Sequence, residues 1–343
     1  MIRMNNDYNR GAHKSILDKL VEINSASYPG YGEDDWCKNA ADIIRNITNC
    51  PSAEVKFLPG ATQTNFIVIA SALNSVQSVI AADTGHISCH EAASVENTGH
   101  KILELPNTDG KITAEQIQNC VDSYIESGEA EYLTEPKMVY LSFPTECGTL
   151  YSKKELTDIH NVCKKHGLYL FVDGARMGYG LGSPKNDVSL EDFARLTDVF
   201  YLGGTKCGAL FGEALVIVND SLKRRLKAYM KQNGAVLAKG WLLGMQFAVM
   251  LENGDYFEST KRADEMALKI KEAFLKKGIL PWRDSYTNQQ FVIVTDEQMN
   301  ALAKKYYFEI EGREERGTIV RFCTSWATGQ SEVDSLIEDI AKL

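Results

Sequence analysis

The segment 201–212, YLGGTKCGALFG, carries a single lysine, Lys206, after an apolar run and among glycine and other small residues. A lysine held at the end of a buried strand loses proton affinity, because burial disfavours its charged form, and becomes an amine nucleophile. Such an amine forms an imine with a carbonyl compound. Taken alone, the segment also fits an ordinary solvated lysine in a glycine-rich loop.

Polar side chains also follow three other short apolar segments that are predicted to be strands. Ligands bind beyond the carboxyl ends of the strands in open α/β sheets, so these side chains are expected to meet Lys206 in one crevice. Their types are those of acid–base and anion-binding chemistry. In chain order they are Asp83, His86, His90, Glu91, Thr145, Glu146, Asp173 and Arg176.

This set of residues fits the needs of one carbonyl cofactor, pyridoxal phosphate. Its pyridine nitrogen requires an anionic partner, because the protonated ring is the better electron sink, and Asp173 is placed for that role. Its phosphate requires backbone amides at the start of a helix. The segment 58–65, LPGATQTN, supplies small residues and hydroxyls just before the apolar run FIVIASAL.

The elements that position these residues alternate between strand and helix from about residue 55 to residue 220. The clearest helix is 153–166, where Ser152 and Glu155 form a capping box and Gly167 ends the helix. Strands buried on both faces and joined by helices predict an α/β domain with a mostly parallel sheet. The predicted strands are 78–83, 137–143, 168–173 and 198–203.

The carboxyl-terminal third has a different pattern, which predicts a smaller α+β domain. A long helical stretch, about 240–278, is followed by the strand-like QQFVIVTD, an amphipathic helix, the strand-like GTIVRFC and a last helix. We therefore predict a large domain at 25–245 and a small domain at 246–343. Residues 1–24 are predicted to form an amino-terminal segment that packs near the active site.

Composition limits the classes of partner. The chain has 343 residues with 44% hydrophobic and 24% charged residues, which is enough for a substantial core. Its net charge of −9 argues against nucleic acid or an anionic membrane as the main partner. The eight cysteines include no CxxC pair, and no apolar leader opens the sequence, so a reduced, cytoplasmic protein is expected.

Five motifs together resemble the threonine aldolase group of pyridoxal-phosphate enzymes, in the β-eliminating lyase branch of the aspartate-aminotransferase-like fold (fold type I). The resemblance implies cleavage of L-threonine or L-allo-threonine type β-hydroxy-α-amino acids to glycine and an aldehyde, through an internal aldimine at Lys206. It also implies a homodimer or homotetramer with active sites at the dimer interface. The motifs are GYGED (30–34), GATQTN (60–65), ADTGHI (82–87), VDGAR (172–176) and GGTK (203–206).

The resemblance assigns roles residue by residue. Lys206 matches the Schiff-base lysine, Asp173 the partner of the pyridine nitrogen and His86 the histidine that stacks on the ring. Ala61 and Thr62 match the phosphate-binding loop, and Thr145 is expected beside the cofactor. The substrate carboxylate is expected to bind Arg176, Arg321 and Asn6, while the positions at the active-site rim are Tyr31 and Glu91.

One departure from the family pattern concerns the substrate hydroxyl. Many threonine aldolases carry a histidine where this chain, in FPTECGTLYS, has Glu146. The candidate bases are therefore Glu146, His86 and an ordered water. The departure also leaves open another β-eliminating lyase or an aminotransferase, or a pyridoxal-phosphate-binding protein without lyase activity.

Three further expectations concern neighbouring residues. His86, Cys89, His90 and Glu91 look like metal ligands, but a structural zinc site needs a second pair and none is evident, so no metal is expected. Gly203 and Gly204 are expected to give clearance for a cofactor ring. Cys207 is expected to serve packing alone.

Overall fold

The computed structural model describes all 343 residues. Seven strands form one sheet in the order β2-β8-β7-β6-β5-β3-β4, in which β8 runs opposite to the other six strands. The predicted mostly parallel α/β fold is confirmed. The strands are β1 (Ile2–Arg3), β2 (Glu54–Leu58), β3 (Gln77–Ala82), β4 (Ile102–Leu105), β5 (Glu135–Ser142), β6 (Tyr169–Asp173), β7 (Val199–Gly203), β8 (Glu213–Ile217), β9 (Gln289–Val294), β10 (Tyr306–Tyr307), β11 (Glu309–Glu314) and β12 (Gly317–Cys323).

Thirteen α-helices cover the sheets. The capping box of Ser152 and Glu155 is present on α6, and Gly167 ends that helix with a φ of 63°. No helix combines the length and the apolar character needed to cross a membrane. The helices are α1 (Lys14–Ile23), α2 (Asp35–Ile47), α3 (Ala61–Ala72), α4 (His86–Cys89), α5 (Ala114–Glu126), α6 (Lys153–His166), α7 (Met177–Gly182), α8 (Leu190–Leu196), α9 (Asp220–Gln232), α10 (Trp241–Glu252), α11 (Asp255–Lys276), α12 (Asp296–Ala303) and α13 (Gln330–Ala341).

The central strands are apolar throughout because both faces of the sheet are buried. In β6, Leu170 and Val172 belong to one core cluster of 47 buried residues, whereas Phe171 belongs to a second cluster of 21. Successive side chains of a strand point to opposite faces, so neighbouring apolar residues serve different cores. This explains why the sequence shows continuous apolar runs and no alternation.

The four predicted strands correspond to β3, β5, β6 and β7, which are consecutive neighbours in the sheet. Because these strands are parallel, their carboxyl ends meet at one edge, and Ser142 at the end of β5 pairs in register with Asp173 at the end of β6. The predicted helical stretch 240–278 is divided into α10 and α11 at Gly254, which has a φ of 76°.

A smaller unit is built on the antiparallel sheet β11-β12-β9. Its core of 14 buried residues takes side chains from the second half of α11, from α13 and from the amino-terminal residue Met4. The amino-terminal segment is attached there through β1, which pairs with β10, while α1 packs on α10. The residues of α10 and the first half of α11 belong to the core of the large sheet. The boundary at 245/246 stays a prediction.

Candidate active site

A small cavity lies beyond the carboxyl ends of β5, β6 and β7. Six of its lining residues were predicted from the sequence as site residues, and they come from five separate parts of the chain. The structure therefore brings His86, Glu146, Asp173 and Arg176 together with Lys206 as expected, whereas the other strand-end residues, Asp83, His90, Glu91 and Thr145, do not line the cavity. The cavity is lined by Ala61, His86, Ser142, Pro144, Glu146, Asp173, Ala175, Arg176 and Lys206.

Lys206 lies in the turn between β7 and β8, half-buried, with its backbone carbonyl accepting a 2.7 Å hydrogen bond from the Tyr179 hydroxyl. Burial and the neighbouring Arg176 guanidinium lower the pKa of its ammonium group, against the opposing charges of nearby carboxylates. A lowered pKa increases the neutral amine near pH 7. Lys206 therefore has the environment of a nucleophilic lysine.

The glycines before Lys206 are required by close backbone contacts. A Cβ atom on Gly203 would lie 2.3 Å from the Ala175 carbonyl oxygen, and one on Gly204 would lie 2.5 Å from the Gly212 carbonyl oxygen. The structure thus explains the need for glycine at these two positions by backbone packing, and not by clearance for a cofactor ring. They let the Lys206 turn pack directly on the neighbouring backbone.

Asp173 ends β6 as a buried carboxylate with three hydrogen-bond donors. The Tyr140 hydroxyl donates at 2.5 Å, the Asn65 amide at 2.9 Å and the Ala175 backbone N–H at 2.9 Å. Burial raises the pKa of Asp173, but the electrostatic interaction with the His86 ring and the hydrogen bonds from Tyr140 and Ala175 outweigh it and lower the pKa overall. Asp173 therefore stays anionic, as a partner of a protonated pyridine nitrogen must.

Glu91 orients the His86 ring from the side that faces the protein interior. The His86 ring Nδ1 lies 2.8 Å from Glu91 Oε1, and the Asn65 amide donates both to Glu91 at 2.7 Å and to Asp173 at 2.9 Å. Glu91 also accepts the Ser94 hydroxyl at 2.9 Å and is buried. Glu91 therefore lies beneath the site and not at its rim, and it leaves Nε2 of His86 as the ring nitrogen available to the cavity.

The remaining polar residues of this segment do not converge. The His90 ring is exposed, with its centroid 5.6 Å from that of His86, and the Cys89 thiol donates to the Asp83 carbonyl at 2.9 Å. Burial and the neighbouring His86 ring lower the pKa of His90. No group of three or more His, Cys, Asp or Glu side chains is arranged to hold a metal ion.

Glu146 reaches into the cavity and is not a solvent-facing turn residue. Its Oε1 accepts hydrogen bonds from the Ser142 hydroxyl at 2.6 Å and from the His86 backbone N–H at 2.9 Å. Burial raises the pKa of Glu146 above its usual range, with a further contribution from the charge of Asp173. A raised pKa is what a carboxylate needs to act as a base close to neutral pH.

Arg176 is held by a carboxylate from the amino-terminal segment. Its Nε and Nη2 donate to Asp7 at 2.7 and 3.1 Å, and Asp7 also accepts the Asn288 amide at 2.9 Å. Burial lowers the pKa of Arg176, but Asp7 more than compensates and raises it overall. A guanidinium has five N–H donors, so the side with Nη1 is left for an anion in the cavity.

Arg321 and Asn6 do not line this cavity. Arg321 on β12 forms an ion pair with Glu311 at 3.1 Å and donates to the Asn5 carbonyl at 3.2 Å, and its buried Nε has no partner. Asn6 lies between Asn5 and Asp7, which contact Arg321 and Arg176 respectively, and its amide oxygen accepts the Tyr8 backbone N–H at 3.2 Å. The amino-terminal segment thus connects the two arginines.

The start of α3 suits a phosphate group. No side chain caps this end, and the Thr64 N–H makes the bond to the Gly60 carbonyl, so the amides of Ala61 and Thr62 point beyond the helix. Thr145, which was expected to lie beside the cofactor, does not line the cavity. It is buried away from the cavity, and its hydroxyl pairs with that of Thr149 at 2.6 Å.

Tyr31 lies in another part of the molecule. It borders a separate cavity of about 310 Å³, together with side chains of α2, β2 and α9, and its own ring is 53% exposed. The Lys231 ammonium lies 4.9 Å from the centre of the Tyr31 ring. This larger cavity contains none of the strand-end residues, so the smaller one holds the candidate chemistry.

Comparison with known proteins agrees with the geometry. Residues 16–297 match the family model described as "Beta-eliminating lyase". The structure of Leishmania major threonine aldolase has a TM-score of 0.97 and 42% identity, covering 100% of this chain and 99% of that one. The chain belongs to the threonine aldolase and β-eliminating lyase family. Enzymes of this family are pyridoxal-phosphate-dependent lyases, and the chain is therefore a lyase.

Two further relatives show how sequence identity falls while the fold is retained. The low specificity L-threonine aldolase of Pseudomonas aeruginosa is 29% identical over 333 residues, which cover 94% of this chain and 92% of that protein. Aspartate aminotransferase of Thermus thermophilus is 14% identical, with a TM-score of 0.70 over 100% of this chain and 91% of that one. The latter shows the shared fold alone, which confirms the predicted fold type I.

Several residues that hold the site together were not predicted from the sequence. Asn65 and Tyr140 hold Asp173, Ser142 holds Glu146, and Asp7 holds Arg176. Ser142 and Tyr140 could have been found, because residues two apart on one strand share a face and Ser142 ends β5. Asp7 carries no local signal, since its partner lies 169 residues away.

Proposed function

We propose that this protein cleaves β-hydroxy-α-amino acids of the L-threonine or L-allo-threonine type into glycine and an aldehyde, with pyridoxal phosphate bound at Lys206. The observation that carries the proposal is the cavity onto which Lys206, Asp173 and Arg176 all open. The 42% identity to Leishmania major threonine aldolase along the whole chain supports the same choice of reaction.

The residues present fit pyridoxal phosphate at each of its functional groups. Lys206 would hold the aldehyde carbon, Asp173 the pyridine nitrogen, His86 the face of the ring, and the amides of Ala61 and Thr62 the phosphate. The chemistry that the cofactor supplies when bound is an electron sink for a bond at the substrate Cα. Asp173 supports this role by remaining anionic in a buried site.

Arg176 would bind the substrate α-carboxylate through its Nη1 side. Asp7 occupies the Nε side and fixes the plane of the guanidinium, which suits a planar anion. We propose Arg321 and Asn6 as further contacts of the same carboxylate, supported by the unpartnered Nε of Arg321. Holding the carboxylate sets which bond at Cα is cleaved, because it fixes the orientation of the substrate.

We propose Glu146 as the base that removes the proton of the β-hydroxyl. Its Oε1 is held by Ser142 and by the His86 backbone N–H, which fixes the carboxylate at the cavity wall. Its raised pKa favours proton transfer near neutral pH. His86 is less suited, because its Nδ1 is committed to Glu91 and its ring is assigned to the cofactor face.

Two measurements on the purified protein test the proposed function. The visible absorbance of lysine-bound pyridoxal phosphate should be present and should disappear in Lys206→Ala. Acetaldehyde and glycine should be released from at least one L stereoisomer of threonine, and from none of them by the variant. Full activity of Lys206→Ala would refute the proposal. An absorbance band without aldehyde from any stereoisomer would favour another β-eliminating lyase, an aminotransferase or a non-catalytic cofactor-binding protein.

We further propose a homodimer or homotetramer and a cytoplasmic location. Exposed apolar side chains at the amino-terminal end, including Leu17, Val21 and Tyr31, support assembly, since large exposed apolar groups often mark interfaces. The eight free cysteines support a reducing compartment. Light scattering that returns a monomer mass, or fractionation that finds the protein outside the cytoplasm, would contradict these proposals.

A further inference from the structure

A second buried carboxylate, Glu213, lies directly behind the Lys206 turn and takes no part in the cavity wall. It is the first residue of β8, is 2% exposed and pairs across the strands with Gly203. Buried glutamates require polar partners, because an unpaired carboxylate is costly away from water. The partners of Glu213 are the two residues that immediately precede Lys206.

Both carboxylate oxygens of Glu213 are engaged by this turn. The Gly204 N–H donates to Oε2 at 3.0 Å and shares its proton with the Gly212 carbonyl at 2.9 Å. The Thr205 hydroxyl donates to Oε1 at 2.8 Å and itself accepts the Gly212 backbone N–H at 2.9 Å. Glu213 thus ties both the backbone and the side chain of the turn to the sheet.

Other hydrogen bonds also hold the turn, from the Thr205 N–H to the Gly212 carbonyl at 3.1 Å and from the Tyr179 hydroxyl to the Lys206 carbonyl at 2.7 Å, but Glu213 alone contributes a side chain that binds both residues before the lysine. The turn is rich in glycine, which allows many backbone conformations, and the close approaches at Gly203 and Gly204 leave no side chain there to hold it. The anchors at Gly204 and Thr205 lie two residues and one residue before the lysine, respectively. A change in either would therefore move the base of the Lys206 side chain directly.

We propose that Glu213 is a positioning residue that anchors Gly204 and Thr205 so that the Lys206 side chain points into the cavity. The inference rests on the proposed role of Lys206 as the residue that holds pyridoxal phosphate. Glu213 does not line the cavity, so it acts on Lys206 through the anchored turn and not by touching substrate. When ionised, it also raises the pKa of Lys206 through its charge.

Three variants separate anchoring from the ionisable carboxyl group, whose pKa burial raises to about 8. Glu213→Gln removes the ionisable group but keeps an oxygen for the Gly204 N–H and an amide that can donate to the Thr205 oxygen. Thr205→Val removes one anchor and keeps the ionisable group, and Glu213→Ala removes both anchors. Asp264→Asn is the control, because Asp264 is another fully buried carboxyl, on α11, outside the proposed machinery.

The primary readout is the rate at which the full-length, cofactor-depleted protein captures added pyridoxal phosphate. Borohydride reduction traps the bound cofactor, and mass spectrometry locates it on the peptide that contains Lys206. We expect Glu213→Ala to capture at least about tenfold more slowly, because small misplacements of a reacting group cost roughly this much or more. Glu213→Gln should stay within about threefold of wild type and Thr205→Val should lie between the two. Asp264→Asn should match wild type in rate, whatever its stability.

Steady-state kinetics and unfolding measurements complete the test. In Glu213→Ala kcat should fall with KM unchanged, because Arg176 is untouched, while circular dichroism verifies the fold. A wild-type capture rate in Glu213→Ala, or equal losses in Glu213→Ala and Glu213→Gln, would overturn the anchoring role. If wild-type Lys206 captures the cofactor but no aldehyde is released from threonine, the proposed function fails and the inference about Glu213 is still decided by the capture rates.

Discussion

Replacing Asp7 by Asn tests the idea that the amino-terminal segment is held in place by the active-site arginine. The Asp7 side chain is fully buried and that of Arg176 is 13% exposed, and two hydrogen bonds join them at 2.7 and 3.1 Å. The Asn288 amide is a further donor to the same carboxylate. Asp7→Asn keeps the volume but leaves a guanidinium charge without its partner in a buried site.

The expected cost is large for a single isosteric substitution. Removing one partner of a buried ion pair typically costs about 3–5 kcal/mol, and the amide oxygen that remains as an acceptor places this change near the lower end. A loss of about 3 kcal/mol increases the unfolding equilibrium constant roughly 100-fold or slightly more. We expect this loss in urea unfolding of the cofactor-free protein at pH 7.

The pH dependence gives the prediction a sign. Burial raises the pKa of Asp7, but Arg176, Lys206 and the Asn288 amide outweigh it and lower the pKa below its value in the unfolded chain. The stabilisation is therefore complete above the unfolded value of about 4 and is lost as the pH falls through the folded value. The difference between wild type and Asp7→Asn should shrink as the pH is lowered from 5 towards 3.

The control is Asp18→Asn, since Asp18 pairs with Lys14 on the solvent-exposed face of α1 and should give no resolvable change at either pH. A loss below about 1 kcal/mol for Asp7→Asn, with an unchanged denaturant slope, would refute the reasoning. A loss that is the same at pH 3 and pH 7 would also refute it, because the charge on Asp7 would then not be its cause.

Three other substitutions test separate parts of the site. Glu146→Gln should lower kcat about 10²- to 10⁴-fold and leave the cofactor absorbance intact. Glu146 must be deprotonated to act as a base, and its pKa is raised, so wild-type activity should rise as the pH increases through that pKa. The Glu146→Gln variant should lack this acidic limb in its pH–rate profile. Glu91→Ala removes the acceptor of His86 and should cost about 1–3 kcal/mol in urea unfolding; an unchanged unfolding midpoint would contradict the buried network. Gly174→Ala would place a Cβ 1.8 Å from a backbone carbonyl oxygen of β7 and should destabilise the fold by about 2 kcal/mol or more, whereas Gly11→Ala, with open space around it, should be neutral in thermal unfolding.

The features that the sequence determined by itself are those that depend on neighbouring residues. The four central strands were predictable because burial on both faces makes each one apolar over its whole length, and α6 because its capping box and terminal glycine are local signals. Several of the cavity residues followed from one general rule, that parallel strands end at the same edge of a sheet. Lys206, Asp173, Arg176 and Glu146 could therefore be selected before any coordinates were known.

The partners of those residues were decided by tertiary structure. Asp7 and Arg176 are 169 residues apart in sequence, and Asn65 and Asp173 are 108 apart. Such pairs leave no periodic or local trace, because each is created only when separate elements pack together. The same holds for the directions of the pKa shifts, which depend on burial and on charges brought from other elements. The sequence determined which groups this protein has for catalysis, and the packed fold decided which of them are charged, held and aimed at the cavity.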